Sequence, residues 1–390
     1  MHLIERYALD SSSKIGKPYI LEKFFSLPFS DYIVFQPNTV PAKTYSYWTT
    51  VLELLVPILN DRGIHIVQVG GPNENALPGT YCVAGQTSFN SLAYLIKNSK
   101  LVLTADSISA HIASGFDKDI VAVYGNPNFV NCVKPFWGNK DRHILLQAPV
   151  KTKPSFSKDE RPRIIDLINP EEIVEAVCKL LNIRFDFPYK TVFIGANFQN
   201  LSIECVPNQV VRIDNLPSGH LILRMDYHFH EPNLVEQLKL NKCTIITDRP
   251  INKDILRAFK TQIVEVIYII GDNHVPDFPE QIRRAGVPFR LVSYFNEEKL
   301  NPIKLHYFDA GLILPIINRV PDELKDLDSF YYKSCKFTLS EQKAFNSRYA
   351  LKNGFAAKSL GDNWQTFNKN NPHAADFWYE IDNFQVLVDK

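Results

Sequence analysis

The stretch Leu101–Asn126, LVLTADSISAHIASGFDKDIVAVYGN, constrains the fold more than any other part of the chain. Leu101–Ala105 is an apolar, β-branched run of the kind that fills a parallel strand buried on both faces. Asp106-Ser107 turns into a short helix that ends near Gly115, and Ile120–Tyr124 is a second buried strand closed by Gly125-Asn126. A strand that ends in Asp-Ser and opens into a helix puts unpaired helix amides at the carboxyl edge of a sheet. Oxyanions of a nucleotide bind readily there.

The same alternation extends on both sides. A helical lead-in occupies residues 1–30, interrupted at Gly16-Lys17-Pro18. Tyr32–Phe35 and Ile64–Val69 read as strands, Tyr45–Asn60 and Phe89–Asn98 as helices, and His143–Leu146 as a further strand. Pro57 falls late in the first of these helices, where it kinks or ends it. Asn169-Pro170-Glu171-Glu172 opens a helix to about Leu181, with Pro in the first turn and two acids beside the helix dipole. Lys151–Arg163, charged and with two prolines, is a surface loop. A second alternation begins at Thr191. Its strands are Thr191–Gly195, Ser202–Val206, His220–Met225, Cys243–Thr247, Ile263–Ile270 and Phe289–Ser293; its helices are Glu231–Leu240, Lys253–Lys260, Pro279–Ala285 and Glu297–Ala310. Strands alternating with helices predict parallel sheets. From 316 on the pattern is less regular. A helix over Ser340–Leu351 is expected, Gly361–Asn371 reads as loop, and aromatic-rich Phe377–Val388 is expected to form a strand or pack back on the body.

A chain of 390 residues has length for two cores. The formal net charge of +1 gives no electrostatic argument for nucleic acid or an acidic membrane surface. Six scattered cysteines without C-x-x-C spacing read as reduced, not as a disulfide framework or metal set. The amino terminus lacks a secretory pattern and no run is long and apolar enough to span a bilayer, so a cytoplasmic location is expected.

In an open parallel sheet, ligands bind beyond the carboxyl ends of the strands. There the first half carries Gln36-Pro37-Asn38-Thr39 with Lys43, Gly70-Gly71-Pro72 with Glu74, Gly85-Gln86-Thr87, Asp106-Ser107, and Gly125-Asn126-Pro127. Lys43 could neutralise a phosphate, and glycines admit close backbone approach. Read alone, each turn is as well explained as a tight turn of a structural sheet.

With His2…Glu5-Arg6, Ile33–Pro37, Val67–Pro72, Gly85-Gln86-Thr87-Ser88, Asp106-Ser107…His111, Ala122–Asn126 and the closing Pro170–Leu181 helix, residues 1–182 resemble the carboxyl-terminal half of the heptosyltransferases. These are the family-nine glycosyltransferases of GT-B fold. The resemblance implies a half that binds a nucleotide-diphosphate sugar without a bound metal or other cofactor. Lys43 would lie on the donor phosphates, Asp106…His111 beside the diphosphate and sugar, and Gly70-Gly71-Pro72 at the nucleotide pocket. Expected donor-binding residues are Lys43, Gly70, Gly71, Glu74, Thr87, Asp106, Ser107, His111, Gly125 and Asn126. Two residues depart from the family pattern: Ile108 stands where a glycine is usual, and Ser91 where a glutamate is usual. The family's amino-terminal acceptor domain, which supplies an acidic base, is not matched, so the acceptor site is expected after residue 190.

The implied fold class is α/β, two Rossmann-like parallel-sheet domains in a GT-B-like arrangement with an irregular tail. Residues 1–185 would bind the donor, 190–315 would form a second α/β domain for the acceptor, and 316–390 an extension. Strand ends of the second half offer Asp226, His228, Asp248 and Asp272 as candidate bases for an inverting transfer. The bland alternative is that the two aspartates Asp226 and Asp248 are caps and turn formers. His228 and His230 alternate along an extended segment, but two imidazoles without a third ligand do not make a metal site. Phe136 and Trp137 are read as core in preference to pocket lining. Tyr331-Tyr332-Lys333-Ser334 and Phe377-Trp378-Tyr379 are able to cap a cleft or form a homo-oligomer contact, and both alternatives stay open. The functional expectation is a glycosyltransferase moving a sugar to an unknown acceptor hydroxyl. The alternative is a non-catalytic nucleotide-sugar-binding or assembly module. No G-x-G-x-x-G follows any strand, which argues against a dinucleotide enzyme.

Overall fold

Two separate runs of alternating strands and helices build two units, Met1–Lys190 with Asp389–Lys390, and Thr191–Val388. The structure is a computed structural model and describes residues 1–125, 131–148, 163–198, 201–214, 216, 219–357, 364–371 and 374–390.

The first unit opens with α1 (Leu3–Asp10), capped by His2. Six parallel strands follow: β1 (Tyr32–Gln36), β2 (His65–Gln68), β3 (Tyr81–Cys82), β4 (Leu101–Ala105), β5 (Asp119–Tyr124) and β6 (His143–Gln147). Their order is β3-β2-β1-β4-β5-β6, with every neighbour parallel. Between them run α2 (Trp48–Asn60), α3 (Phe89–Asn98) and α4 (Ile108–Gly115); α5 (Pro170–Leu180) closes the unit. Every residue of β4 is buried, as is nearly every residue of β1 and β5. Strands of this composition need cover on both faces. The chain steps outward from β1 to β3, returns to β4 beside β1, and steps outward again. The strand order therefore reverses between β1 and β4, and a crevice opens at their carboxyl ends.

Local chemistry sets the helix ends. Ser88 accepts from the Ser91 amide and starts α3; Ser107 accepts from the Ser109 amide and starts α4. The helix expected from Tyr45 begins later, at Trp48, because Pro41–Lys43 forms a 3-10 turn first. It also runs through Pro57 to Asn60.

In the second unit, β7 (Tyr189–Ile194), β8 (Ser202–Cys205), β9 (Leu221–Arg224), β10 (Cys243–Thr247), β11 (Ile263–Ile269), β12 (Phe289–Ser293) and β13 (Ile313–Pro315) are followed by five tail strands. These are β14 (Ser329–Ser334), β15 (Lys336–Ser340), β16 (Lys343–Phe345), β17 (Gln365–Asn368) and β18 (Phe384–Asp389). The larger sheet is ordered β13-β12-β11-β10-β9-β8-β15-β16 and the smaller β17-β14-β18-β7. From β8 to β13 each step moves one strand in the same direction, so right-handed crossovers gather the connecting helices on one face. Those helices are α6 (Glu231–Leu240), α7 (Lys253–Ala258), α8 (Phe278–Ala285) and α9 (Glu297–His306). Leu234, Leu256, Ile282 and Leu300 from them pack with Leu223, Ile245, Val266 and Leu291 from the strands in one core.

The tail is more regular than its sequence pattern suggests. Over Ser340–Leu351, where a helix was expected, β15 and β16 form an antiparallel hairpin with Ser340 opposite Lys343, and only α10 (Arg348–Asn353) is helical. The helix α11 (Ala374–Trp378) precedes β18. The aromatic segments are core: Tyr332, Phe367, Phe377, Trp378 and Phe384 pack together behind the smaller sheet. Most of the loop expected over Gly361–Asn371 is instead β17 and its turn, and the rest lies outside the described residues. The loop Lys151–Arg163 also lies outside them, except for Arg163. All six cysteines are unbridged. Among the described residues no helix is long and apolar enough to cross a membrane.

Candidate functional site

The reversal between β1 and β4 brings together residues far apart in sequence. Gln36, the last residue of β1, stands opposite Thr104 in the ladder. Its side-chain carbonyl accepts from Ser107 Oγ at 2.9 Å and from Ser109 Oγ at 2.6 Å. Thr104 Oγ1 lies 2.6 Å from Ser107 Oγ. These bonds pin the first turn of α4 to the end of β1. Ser107 satisfies the amide of Ser109, whereas the other first-turn amides have no acceptor within the helix. The positive end of the helix dipole thus faces the crevice.

Lys43 closes the same spot. The 3-10 turn after β1 carries its ammonium to 2.6 Å from Asp106 Oδ2, the Lys43 side chain being 47% exposed and that of Asp106 11%. An ion pair this open contributes at most about 1 kcal/mol, so an incoming anion can displace it at little cost. Ile108 is the first helical residue of α4; its φ is not positive and its side chain is 48% exposed. The backbone here makes no demand for glycine.

One turn further along α4 stands His111. Burial lowers its pKa from the ordinary 6.5; the Asp106 carboxylate works against that shift, and His2 and Lys43 add to it. The imidazole is therefore neutral at pH 7. His2 accepts from the Ile4 amide at Nδ1, so its Nε2 carries the proton and donates to the Lys134 carbonyl at 2.7 Å.

The glycine turns have structural causes. Glu74 accepts from the Gly71 amide at 2.7 Å and from Asn38 Nδ2 at 2.8 Å, so its carboxylate ties the turn after β2 to the turn after β1. Gly85 adopts φ +74° and donates to the Gly70 carbonyl at 2.9 Å. A Cβ on Gly85 would stand 2.5 Å from Pro72 Cα, and one on Gly70 would meet the Glu74 carboxylate. Thr87 precedes the α3 cap and is half-buried. Gly125 packs against Ile165, 3.1 Å from where its Cβ would be. Asn126 lies outside the described residues. Of the ten donor-site residues read from sequence, Lys43, Asp106, Ser107 and His111 come together at the crevice. Gly70, Gly71 and Glu74 form its neighbouring turn. Gln36, Ser109 and Asn38 complete the arrangement; Gln36 and Asn38 lay in a strand-end turn read from sequence, but none of the three was among the expected donor-binding residues. A glutamine ending an apolar strand beside a serine-rich turn was their available signal.

Phe136 and Trp137 differ from the core expectation. Both are half-buried; Phe136 lies 4.9 Å from the His2 ring. Trp137 donates from Nε1 to the Gly16 carbonyl at 2.9 Å, and its indole lines open cavities on this unit.

In the second unit the four candidate bases sit after β9, β10 and β11. Both oxygens of Asp226 are engaged by Arg224, at 2.9 and 2.8 Å. Arg224 also donates to buried Glu204 at 2.9 Å and stacks on Tyr227. Asp272 is 73% exposed and paired with Lys299. Asp248 is half-buried, its Oδ1 3.6 Å from Arg249 Nε. His228 is exposed, and His230 caps α6 by accepting from the Asn233 amide. Among the described residues no three His, Cys, Asp or Glu side chains are placed to hold a metal ion.

Comparison with known proteins bears on the first unit. Residues 17–163 match the family model of glycosyltransferase family 9 (heptosyltransferase). Over these residues the chain is similar to a heptosyltransferase-type domain. A curated relative, lipopolysaccharide heptosyltransferase 3 of Escherichia coli, is 23% identical over 167 residues, 39% of this chain and 47% of that protein. The chain thus spans about half the length of the curated relative it matches. Among solved structures, the E. coli ADP-heptose lipopolysaccharide heptosyltransferase II is 20% identical with a TM-score of 0.31, covering 46% of this chain and 51% of its own. A family-nine glycosyltransferase from Veillonella parvula is 20% identical with a TM-score of 0.32, covering 39% and 46%. The family match coincides with the six-stranded sheet, and Lys43, Asp106, Ser107 and His111 of the crevice all lie within it.

Proposed function

We propose that the heptosyltransferase-type domain binds a nucleotide-diphosphate sugar at the β1/β4 crevice and that the protein transfers the sugar to an acceptor hydroxyl. The observation that carries this reading is the convergence of Lys43 with the pinned first turn of α4, a cation and free amides where a diphosphate would sit. In the transfer, the acceptor oxygen bonds to the anomeric carbon while the bond from that carbon to the diphosphate oxygen breaks. The electron pair leaves on the nucleoside diphosphate, and Lys43 and the α4 amides stabilise the charge that develops there. The acceptor proton passes to a neutral base, a role this reading gives to His111, one turn along α4 from Asp106; burial favouring its neutral form supports that choice. The reaction so written is inverting and needs no metal ion.

Thermal shift with UDP, GDP, ADP and CMP tests donor binding. One of these nucleotides raises the melting temperature of the full chain, and Lys43→Ala removes the rise. No shift with any of the four overturns the reading. A second reading, a nucleotide-sugar-binding or assembly module without turnover, is favoured by the engagement of Asp226 by Arg224 and of Asp272 by Lys299. A panel of nucleotide sugars with released diphosphate as readout separates the two.

A further inference from the structure

Beside His111 the first unit holds an open cavity of about 250 Å³, walled by Leu3 and Ile4 of α1, by Cys132, Val133 and Trp137, and by His2. The surface these residues turn to the space is apolar. His2 cannot change that, because both of its ring nitrogens are already engaged, by the Ile4 amide and the Lys134 carbonyl. A pyranose hydroxyl turned against these walls would give up water and find no partner there, at a cost in free energy. An aryl or branched alkyl group meets no such penalty. The cavity also adjoins the crevice: His111 edges it, and the charges of Asp106 and Lys43 act on that imidazole.

We propose that this cavity seats an aryl or short branched alkyl group of the acceptor, so that the acceptor is an aryl or alkyl hydroxyl compound, not a sugar. The inference rests on the glycosyl-transfer reading for its word "acceptor", and on the cavity alone for the ligand class. Seated there, the apolar group brings its hydroxyl to His111, which takes the proton as the oxygen bonds to the anomeric carbon. Trp137 supplies a flat wall, held by its bonds to the Gly16 carbonyl and to Ser114 Oγ.

The test titrates the full-length protein with 2-naphthol, benzyl alcohol and methyl β-D-glucopyranoside by calorimetry, with ADP thermal shift run in parallel. The expected result is saturable binding of 2-naphthol and none of the glucoside at the same concentration. Val133→Trp, which fills the space, lowers naphthol affinity at least tenfold and leaves the ADP response intact. Ile4→Phe fills it from the α1 side and decides the matter if the first variant fails to fold. Naphthol binding unchanged in the folded variants overturns the proposal, as does glucoside binding tighter than naphthol. If naphthol binding is lost in the variants while none of UDP, GDP, ADP and CMP shifts the wild type, the ligand class stands and the donor reading falls.

Discussion

Ile108 shows how a single residue can look more consequential in sequence than it is in structure. The family-nine pattern has glycine there, and a branched side chain cannot take glycine's additional conformations cheaply. The structure makes no such request: Ile108 is an ordinary first helical residue with its side chain turned outward. Ile108→Gly is therefore expected to change nucleoside diphosphate affinity by less than about threefold, while costing at most about 1 kcal/mol of stability through helix propensity. Calorimetric titration and thermal melting check both halves of that statement. A much larger gain in affinity would mean that the exposed side chain itself obstructs the ligand. Lys43, by contrast, was legible from its place after a strand end, because a cation there has few structural duties. Gln36 was legible only as a residue of the turn that leaves β1, not as the anchor of α4. Its role depends on strand order, which puts β4 beside β1, and no local pattern encodes that.

Among elements, the hairpin of β15 and β16 is where local sequence misleads. Ser340–Leu351 carries a tolerable helical pattern. Yet Glu341 and Gln342 sit at φ +49° and +62° between paired strands, as a two-residue turn of the primed type requires. Neither residue favours that conformation, so the Asn-Gly signal that marks such turns is missing and the strain is carried by sheet pairing. Replacing Glu341-Gln342 by Asn-Gly should stabilise the protein by about 1–2 kcal/mol. Thermal melting would show a rise of about 2–8 °C for a unit of this size, and no rise would contradict the turn assignment. Beside this hairpin, β8, β9 and β15 hold a buried charge network. Glu204 pairs with Arg224 and Lys336, and Lys336 with Glu380. Burial alone would raise the Glu204 pKa; Arg224 and Lys336 outweigh it and bring it from 4.5 down to about 2. A carboxyl depressed in the folded state contributes stability above its unfolded value and loses it as the pH falls through its folded value. Glu204→Gln should thus cost about 3–5 kcal/mol at pH 7 by leaving two buried cations short of a partner. The difference from wild type should narrow between pH 4.5 and about 2. Melting temperatures of both proteins across that range decide it; a constant gap would deny the linkage. Asp226 belongs to the same network through Arg224, which is why a residue that reads as a base from sequence is engaged in the structure.

At the scale of the whole molecule, the two units have separate cores, and the crevice residues Gln36, Lys43, Asp106, Ser107 and His111 all belong to the first. Alternation of strands and helices made both parallel sheets legible, because buried parallel strands must be uniformly apolar. Of the antiparallel tail strands only β18 was legible, as the strand alternative for Phe377–Val388; the others were not. They are short, and their aromatic residues serve a small sheet whose partners, β7 and β18, lie almost 200 residues apart. The separation of cores carries a prediction about where a ligand is felt. A bound nucleoside diphosphate stabilises whatever cooperative region contains its site, by about 2.7 kcal/mol at a hundred times Kd. Amide exchange in saturating ADP, or whichever nucleotide shifts the melting temperature, should slow in peptides spanning the end of β1, the Lys43 turn, the end of β4 and α4. Peptides within Thr191–Val388 should exchange at the same rate with and without nucleotide. Protection in that second set would mean that the second unit contributes to the nucleotide site, and Asp226, His228, Asp248 and Asp272 would return as the residues to mutate first.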